Sequence, residues 1–174
     1  QVRFGSRTLT IDPRLSTISS MARDFTRHPV SPSLTAPVRL VRMTEQQSRE
    51  AHRHDWLELV IILDGSGTHV TEAGSWPVRV GDVFVIEPGI AHSYRDTEHL
   101  HLMNVLMQPL ERWLPLCDLE ALPGYHALFN VEPRLRAQHA FRSRLHLRGV
   151  RRRSVFRLLE EMCHLAHDER HGRY

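Results

Sequence analysis

The sequence predicts a mainly β domain, a sandwich or barrel, that ends in a helix. Three observations carry this reading. Short apolar stretches recur between residues 38 and 107, cut at regular intervals by glycine-containing turns. Apolar and polar residues alternate within them, as in strands buried on one face. The period then becomes helical from about Val150. At 174 residues the chain is long enough for one domain with a proper core plus appended structure.

Residues 1 to about 35 are rich in Ser, Thr, Pro and Arg, with short apolar pieces such as Leu9-Thr10-Ile11, and read as an arm lying on the domain. Val38 to Met43 alternates and predicts the first strand. Leu57 to Leu63 predicts a stronger one, ended by Asp64-Gly65-Ser66-Gly67, a hairpin-turn signal. Thr68 to Ala73 returns, and Gly74-Ser75 turns again. Trp76 to Val80 runs into the tight turn Gly81-Asp82, and Val83 to Glu87 leads to Pro88-Gly89. Ala91 to Arg95 and Leu100 to Met107 complete the strands. The organisation expected is therefore an arm and first strand over 1–45 and a barrel over 46–108. Loops and short helices with Pro109, Pro115, Pro123 and Pro133 pack on it over 109–148, and a helix covers 149–174. In that helix Val155, Leu158, Leu159, Met162 and Ala166 are expected on one face, with Glu160, Glu161, Asp168 and Glu169 off it. So wide an apolar stripe calls for a partner helix.

Composition removes several function classes. The longest apolar run, Leu59 to Leu63, is strand-sized and far short of a membrane span. Gln1 to Gly5 has no signal-peptide core, and the absence of an initiator Met reads as a piece cut from something longer. Cys117 and Cys163 are isolated thiols without metal or redox spacing, which fits a reducing cytoplasm. The chain contains no lysine, so lysine Schiff-base chemistry is excluded. Net charge is +3, and the arginines are scattered apart from Arg151-Arg152-Arg153, which is weak ground for nucleic-acid binding. Helix-turn-helix, zinc-finger, serine-nucleophile and phosphate-loop patterns are absent.

One constellation carries chemistry. Positions two apart on a strand share a face, so His52, His54 and Glu58 face one side, and His92 follows the Pro88-Gly89 turn. Three imidazoles and one carboxylate suit a divalent transition metal; zinc, nickel, iron and manganese all fit these donors. The same four groups also make sense as a buried hydrogen-bond network, or as polar contacts to a small molecule. Tyr94 shares the side of His92. Trp56 and Trp76 are the aromatic surfaces available for stacking on a sugar ring, though a core tryptophan is commoner. His164, His167 and His171 lie at helical spacing and read as a solvated face.

The segment His52-x-His54-x3-Glu58-x6-Gly65 resembles the first cupin motif, and Gly81-x5-Glu87-Pro88-Gly89-x2-His92 resembles the second, with its proline displaced by one place. Gln46 stands where the first motif begins with glycine, and Asp96 where the second ends with asparagine. The run from Glu58 to Gly67, then Gly81 to Pro88, then His92-Ser93-Tyr94, is similar to the N-terminal domain of AraC-family transcription regulators. Asn104 to Trp113 resembles the rhamnose-responsive members.

This resemblance implies a cupin barrel, or double-stranded β-helix, that senses an effector. A helical element then dimerises, and a separate C-terminal domain, absent from this chain, binds DNA. In the arabinose-type regulator the effector lies inside the barrel. Tyr94 and Asn104 match its ligand-facing tyrosine and tryptophan, while Leu102 and Asp64 replace a histidine and an arginine, which argues against arabinose itself. The expected ligand-binding residues are His52, His54, Glu58, His92, Tyr94 and Asn104, with no catalytic residue. The candidate metal ligands are His52, His54, Glu58 and His92, and no cofactor is required. A sugar-like effector, a homodimer and a cytoplasmic location without membrane contact complete the expectation. The alternative is a metal-dependent cupin enzyme, a dioxygenase or sugar isomerase, using the same four donors around an open metal position.

Overall fold

Two long antiparallel strands form the spine of the fold, and the shorter strands attach to them. The computed structural model describes residues 23–24, 37–48, 50–108, 121, 125, 128–129 and 145–171, and for 23–24 and 167–171 the backbone alone. In chain order the strands are β1 (Arg23–Asp24), β2 (Val38–Met43), β3 (His52–Arg53), β4 (Leu57–Thr71), β5 (Gly74–Arg79), β6 (Asp82–Ile86), β7 (His92–Met107) and β8 (Leu145–His146), followed by the helix α1 (Gly149–His171). β4 and β7 pair antiparallel from Leu57↔Met107 to Thr71↔His92. On the far side of β4, β6 covers its first half and β5 its second. On the far side of β7, β2 pairs with residues 102–107 and β3 meets it at His52↔His92. β1 lies parallel to β3, so Arg23 is the register partner of His52. Most of the segments read as an N-terminal arm and as a 109–148 layer lie outside the described residues.

Two expectations are corrected here. Asp64-Gly65-Ser66-Gly67 is not a hairpin turn, because β4 runs through it. The register slips between Ile62 and Thr68 instead, so bulges absorb the glycines. Gly65 is needed there: its φ is +71°, and a Cβ would collide with the His99 carbonyl oxygen. For the same reason β7 is one strand of 16 residues rather than two. Its irregular middle holds Asp96 and His99 at φ of 50° and 45°.

The strands bury both faces. Val60, Ile62, Val78, Phe84, Ile86, Tyr94, Leu100 and Leu102 form the inner core. The alternate residues Ile61, Val83, Met103, Val105 and Met107 form an outer core with Leu159 of α1. Val155, Phe156 and Cys163 of the helix join that outer core, as do Tyr125, Leu128 and Phe129. The predicted single helical face divides. Leu159 is buried, whereas Leu158, Met162 and Leu165 are 55%, 40% and 66% exposed. The Arg42 guanidinium on β2 donates to Glu160 at 2.7 Å, tying the first described strand of six residues to the helix. Asp82 closes the turn before β6: one oxygen accepts the Arg79 N–H at 2.9 Å, and the other lies 2.8 Å from His146 Nδ1. Among the described residues no helix is long and apolar enough to cross a membrane.

Candidate functional site

The two motifs meet because their backbones are bonded to each other. The Gly89 N–H donates to the His54 carbonyl at 2.7 Å, so the Pro88-Gly89 turn is laid against the His52–His54 segment. β4 then carries Glu58 inward on the same face as Val60 and Ile62, and β7 begins at His92. The result is a set of three buried donors: ligand atoms of His54, Glu58 and His92 all lie within 4.8 Å of one another. His54 Nε2 is 2.6 Å from Glu58 Oε2, and His92 Nε2 is 3.7 Å from the same oxygen. His52 stands beside this set rather than in it. Its ring centre is 4.2 Å from that of His92 but 6.3 Å from that of His54, and the residue is half-buried.

The hydrogen bonds assign the imidazole protons. His54 Nδ1 is 3.0 Å from the Trp56 carbonyl, and His92 Nδ1 is 3.0 Å from the Ile90 carbonyl. A carbonyl only accepts, so both Nδ1 atoms carry hydrogen, and Nε2 is the atom each ring presents to Glu58. Burial lowers His92 to about 3 against the pull of the Glu58 carboxylate, so this ring is neutral and its Nε2 is a lone pair. Burial alone would raise the Glu58 carboxyl. The His54 hydrogen bond and the nearby imidazoles outweigh it and hold the carboxyl below its usual range. With His92 neutral, the His54 bond carries that effect. A carboxylate therefore faces two Nε2 atoms, one of them a bare lone pair. One proton satisfies the short His54–Glu58 contact and leaves the His92 contact unfavourable. A divalent cation satisfies both. Backbone carbonyls on the second ring nitrogens are also how metal-binding histidines are generally oriented. The residues fit a transition metal. His54, Glu58 and His92 would hold it, and three protein donors leave positions free for water or a ligand.

The other expected residues lie inside the barrel. Tyr94 is buried in the inner core, and Asn104 lies opposite Val60, with its Oδ1 buried and accepting no hydrogen bond from the described residues. Sequence reasoning missed His69. It is buried, with its ring centre 4.8 Å from Phe84, 5.2 Å from Tyr94 and 6.0 Å from His92. The bulges shift the inward parity along β4, so simple alternation from Glu58 does not find it. Trp76 lies 6.4 Å from His69, centre to centre. A separate cavity of about 620 Å³ is lined by residues including Ser66, Thr68, Arg79, Asp82, His146 and Arg148 and shares none of the histidine cluster.

Comparison with known proteins adds a family. Residues 36–173 match the model of the AraC-like ligand binding domain. Similar curated proteins carry the name HTH-type transcriptional activator RhaR. That of Escherichia coli (strain K12) is 37% identical over 76 residues, 44% of this chain and 27% of that protein. That of Mannheimia succiniciproducens is 36% identical over 74 residues, 42% of this chain and 27% of that protein. That of Klebsiella pneumoniae subsp. pneumoniae is 32% identical over 93 residues, 53% and 33%. The matched stretch thus spans about a quarter to a third of these relatives. Among solved structures, a cupin-2 domain containing protein from Shewanella frigidimarina aligns with TM-score 0.39 and 14% identity, over 56% of this chain and 95% of that one. A cupin 2 conserved barrel domain protein from Salinispora arenicola aligns with TM-score 0.37 and 22% identity, over 47% and 73%.

Proposed function

We propose, since the chain belongs to the AraC-like ligand binding domain family, that it is the effector-sensing and dimerisation part of a transcription regulator. In this reading a small hydroxylated molecule of sugar type enters the barrel. The observation that carries it is the mixture inside: His54, Glu58 and His92 are buried beside an apolar core, and Asn104 Oδ1 is buried without a partner among the described residues. Buried polar atoms are normally paired, and a hydroxyl of a bound ligand would pair this one. His52 and Tyr94 would add contacts from β3 and β7. A divalent metal at His54, Glu58 and His92 would present the ligand with a Lewis-acidic oxygen-binding position.

Connectivity supports the regulatory part. β1 is hydrogen-bonded to the strand that holds His52, and β2 lies under α1 through the outer core and the Arg42–Glu160 bond. Occupancy of the barrel would bias these elements, provided the effector binds the two arrangements unequally. Leu158, Met162 and Leu165, at i, i+4 and i+7 on the exposed side of α1, support pairing with a second copy. DNA would be bound by a domain beyond this chain, in the cytoplasm.

The first test is elemental analysis of protein purified without a histidine tag or nickel resin and then dialysed. Near-stoichiometric metal, lost in Glu58→Gln and His54→Ala, supports the metal site; wild-type protein that takes up no zinc, nickel, iron or manganese even when these are added sinks it. A thermal-shift screen of deoxy sugars and pentoses, repeated on Asn104→Leu, tests the effector site. The second reading is a metal-dependent enzyme, and the three-donor set with free positions is what favours it. Turnover of a sugar or of dioxygen by the metal-loaded domain would decide for it.

A further inference from the structure

The two histidines of the buried set are held differently. His92 meets the rings of His52, His54 and His69 at interplanar angles of 58°, 71° and 50°, so it has no parallel neighbour among them. His54 lies flat against Trp56, with ring centres 4.5 Å apart and 5° between the planes. The same residue's carbonyl accepts the His54 Nδ1 hydrogen at 3.0 Å. We propose that Trp56 is a positioning residue for the metal site: its carbonyl sets the His54 tautomer and its indole face sets the ring plane, so that Nε2 is held toward Glu58 before an ion arrives. This rests on the metal reading above.

Three features support an orienting role over plain core filling. Trp56 is buried, yet among the described residues it belongs to neither apolar cluster, and the ring it stacks on is that of His54. It sits at the bend between β3 and β4, where the chain leaves strand geometry, and the Gly89 N–H bond to the His54 carbonyl fixes the backbone there without setting the plane of the ring. Its indole Nε1 makes no hydrogen bond among the described residues. The contacts that the structure shows for Trp56 toward His54 are its flat face and its carbonyl. Orienting partners of this kind typically change metal affinity by about 10–100-fold when removed.

The test uses cobalt(II) alone as the probe on the whole chain, followed by titration of its visible absorption and of tryptophan fluorescence. The wild type is expected to bind one ion, with tryptophan emission quenched in step. Trp56→Phe keeps a flat face and breaks no protein hydrogen bond, so its affinity should stay within about threefold, while the stepwise quenching largely disappears. Trp56→Leu should lose affinity by roughly 10-fold or more. Nitrogen-detected NMR of the zinc-loaded wild type should find Nδ1 of His54 protonated and Nε2 metal-bound, a readout that survives even if the leucine variant fails to fold. Wild type that binds no metal removes the reading on which the inference rests. Wild type that binds, with Trp56→Leu binding equally well or with metal on Nδ1, overturns the Trp56 role and leaves the metal site standing.

Discussion

The two faces of the same strands do opposite things. The inner face of β4 and β7 carries Glu58 and Asn104 beside Val60, Ile62 and Leu102, so polar groups are sealed into an apolar space. The outer face carries Ile61, Met103 and Val105, a plain apolar platform under α1. Alternation at period two lets one stretch of chain serve both. The inner face is where hydrogen bonds choose tautomers and ring planes. The outer face only needs volume and shape, and it ends in Leu158, Met162 and Leu165 turned away from the barrel. In the proposed function, sensing chemistry and assembly would thereby lie one residue apart along β4.

The largest effect expected from breaking this contrast is on the inner side. Phe84 is fully buried in the inner core against His69, so Phe84→Ala should cost about 3–5 kcal/mol in chemical denaturation. Leu159→Ala on the outer side should cost roughly 2 kcal/mol, because a helix lying on a sheet can settle into the space. Equal losses would mean that the outer platform is as tightly packed as the barrel.

Acid should separate the faces next. His92 ordinarily titrates at 6.5 and is lowered to about 3 by burial. Between these values the unfolded chain binds a proton that the folded chain refuses, so stability falls as pH drops from 6.5 toward 3. Glu58 is lowered from 4.5, so below that value the unfolded carboxyl takes up its proton first and the loss continues in the same direction. The combined loss should be on the order of a few kcal/mol in metal-free protein, read as the denaturation midpoint against pH. His92→Asn should flatten the upper part of that curve, whereas a variant of the outer face should leave its shape unchanged. A flat curve in the wild type would contradict the neutral buried His92.

A smaller effect belongs to the exposed stripe. Leu158→Glu with Leu165→Glu should leave the stability of the monomer within about 0.5 kcal/mol, since both side chains are largely exposed. Sedimentation should show weakened self-association. Unchanged association would remove the stripe as the contact between copies.

Much of this contrast was legible in the sequence, and its failures have physical causes. His52-x-His54-x3-Glu58 gives a shared face by parity alone, and the Pro88-Gly89 turn announces His92. Parity does not say that the strand bends at 55–56, which leaves His52 in β3 beside the set formed by His54, Glu58 and His92. Gly65 of Asp64-Gly65-Ser66-Gly67 does mark a positive φ, but bulges accommodate it within a continuous strand. A turn signal and a bulge signal use the same residues, because both need a backbone conformation that glycine supplies. The same bulges hide His69. On α1 the neighbours Leu158 and Leu159 were grouped on one face, although adjacent helical residues point about 100° apart; which of them is buried depends on where the platform lies. Trp56 was legible only as an aromatic residue. Its parallel stack on His54 depends on the bend, which alternation does not encode.

The smallest expected effect is also the sharpest probe of how the faces communicate. Arg42 and Glu160 are half-exposed, with side chains each 49% accessible, and their 2.7 Å contact joins β2 to α1. Exposed pairs of this kind contribute about 0–1 kcal/mol and are weakened by salt. Arg42→Ala should therefore hardly move the global denaturation midpoint. Amide exchange should instead quicken in the middle turns of α1, because the bond restrains the helix relative to β2 rather than holding the barrel together. Added salt should reproduce that quickening in the wild type and do little to the variant. A loss of more than roughly 2 kcal/mol would mean that α1 is part of the cooperative barrel. The outer face would then be a structural wall, and the helix could not shift independently in response to what the inner face binds.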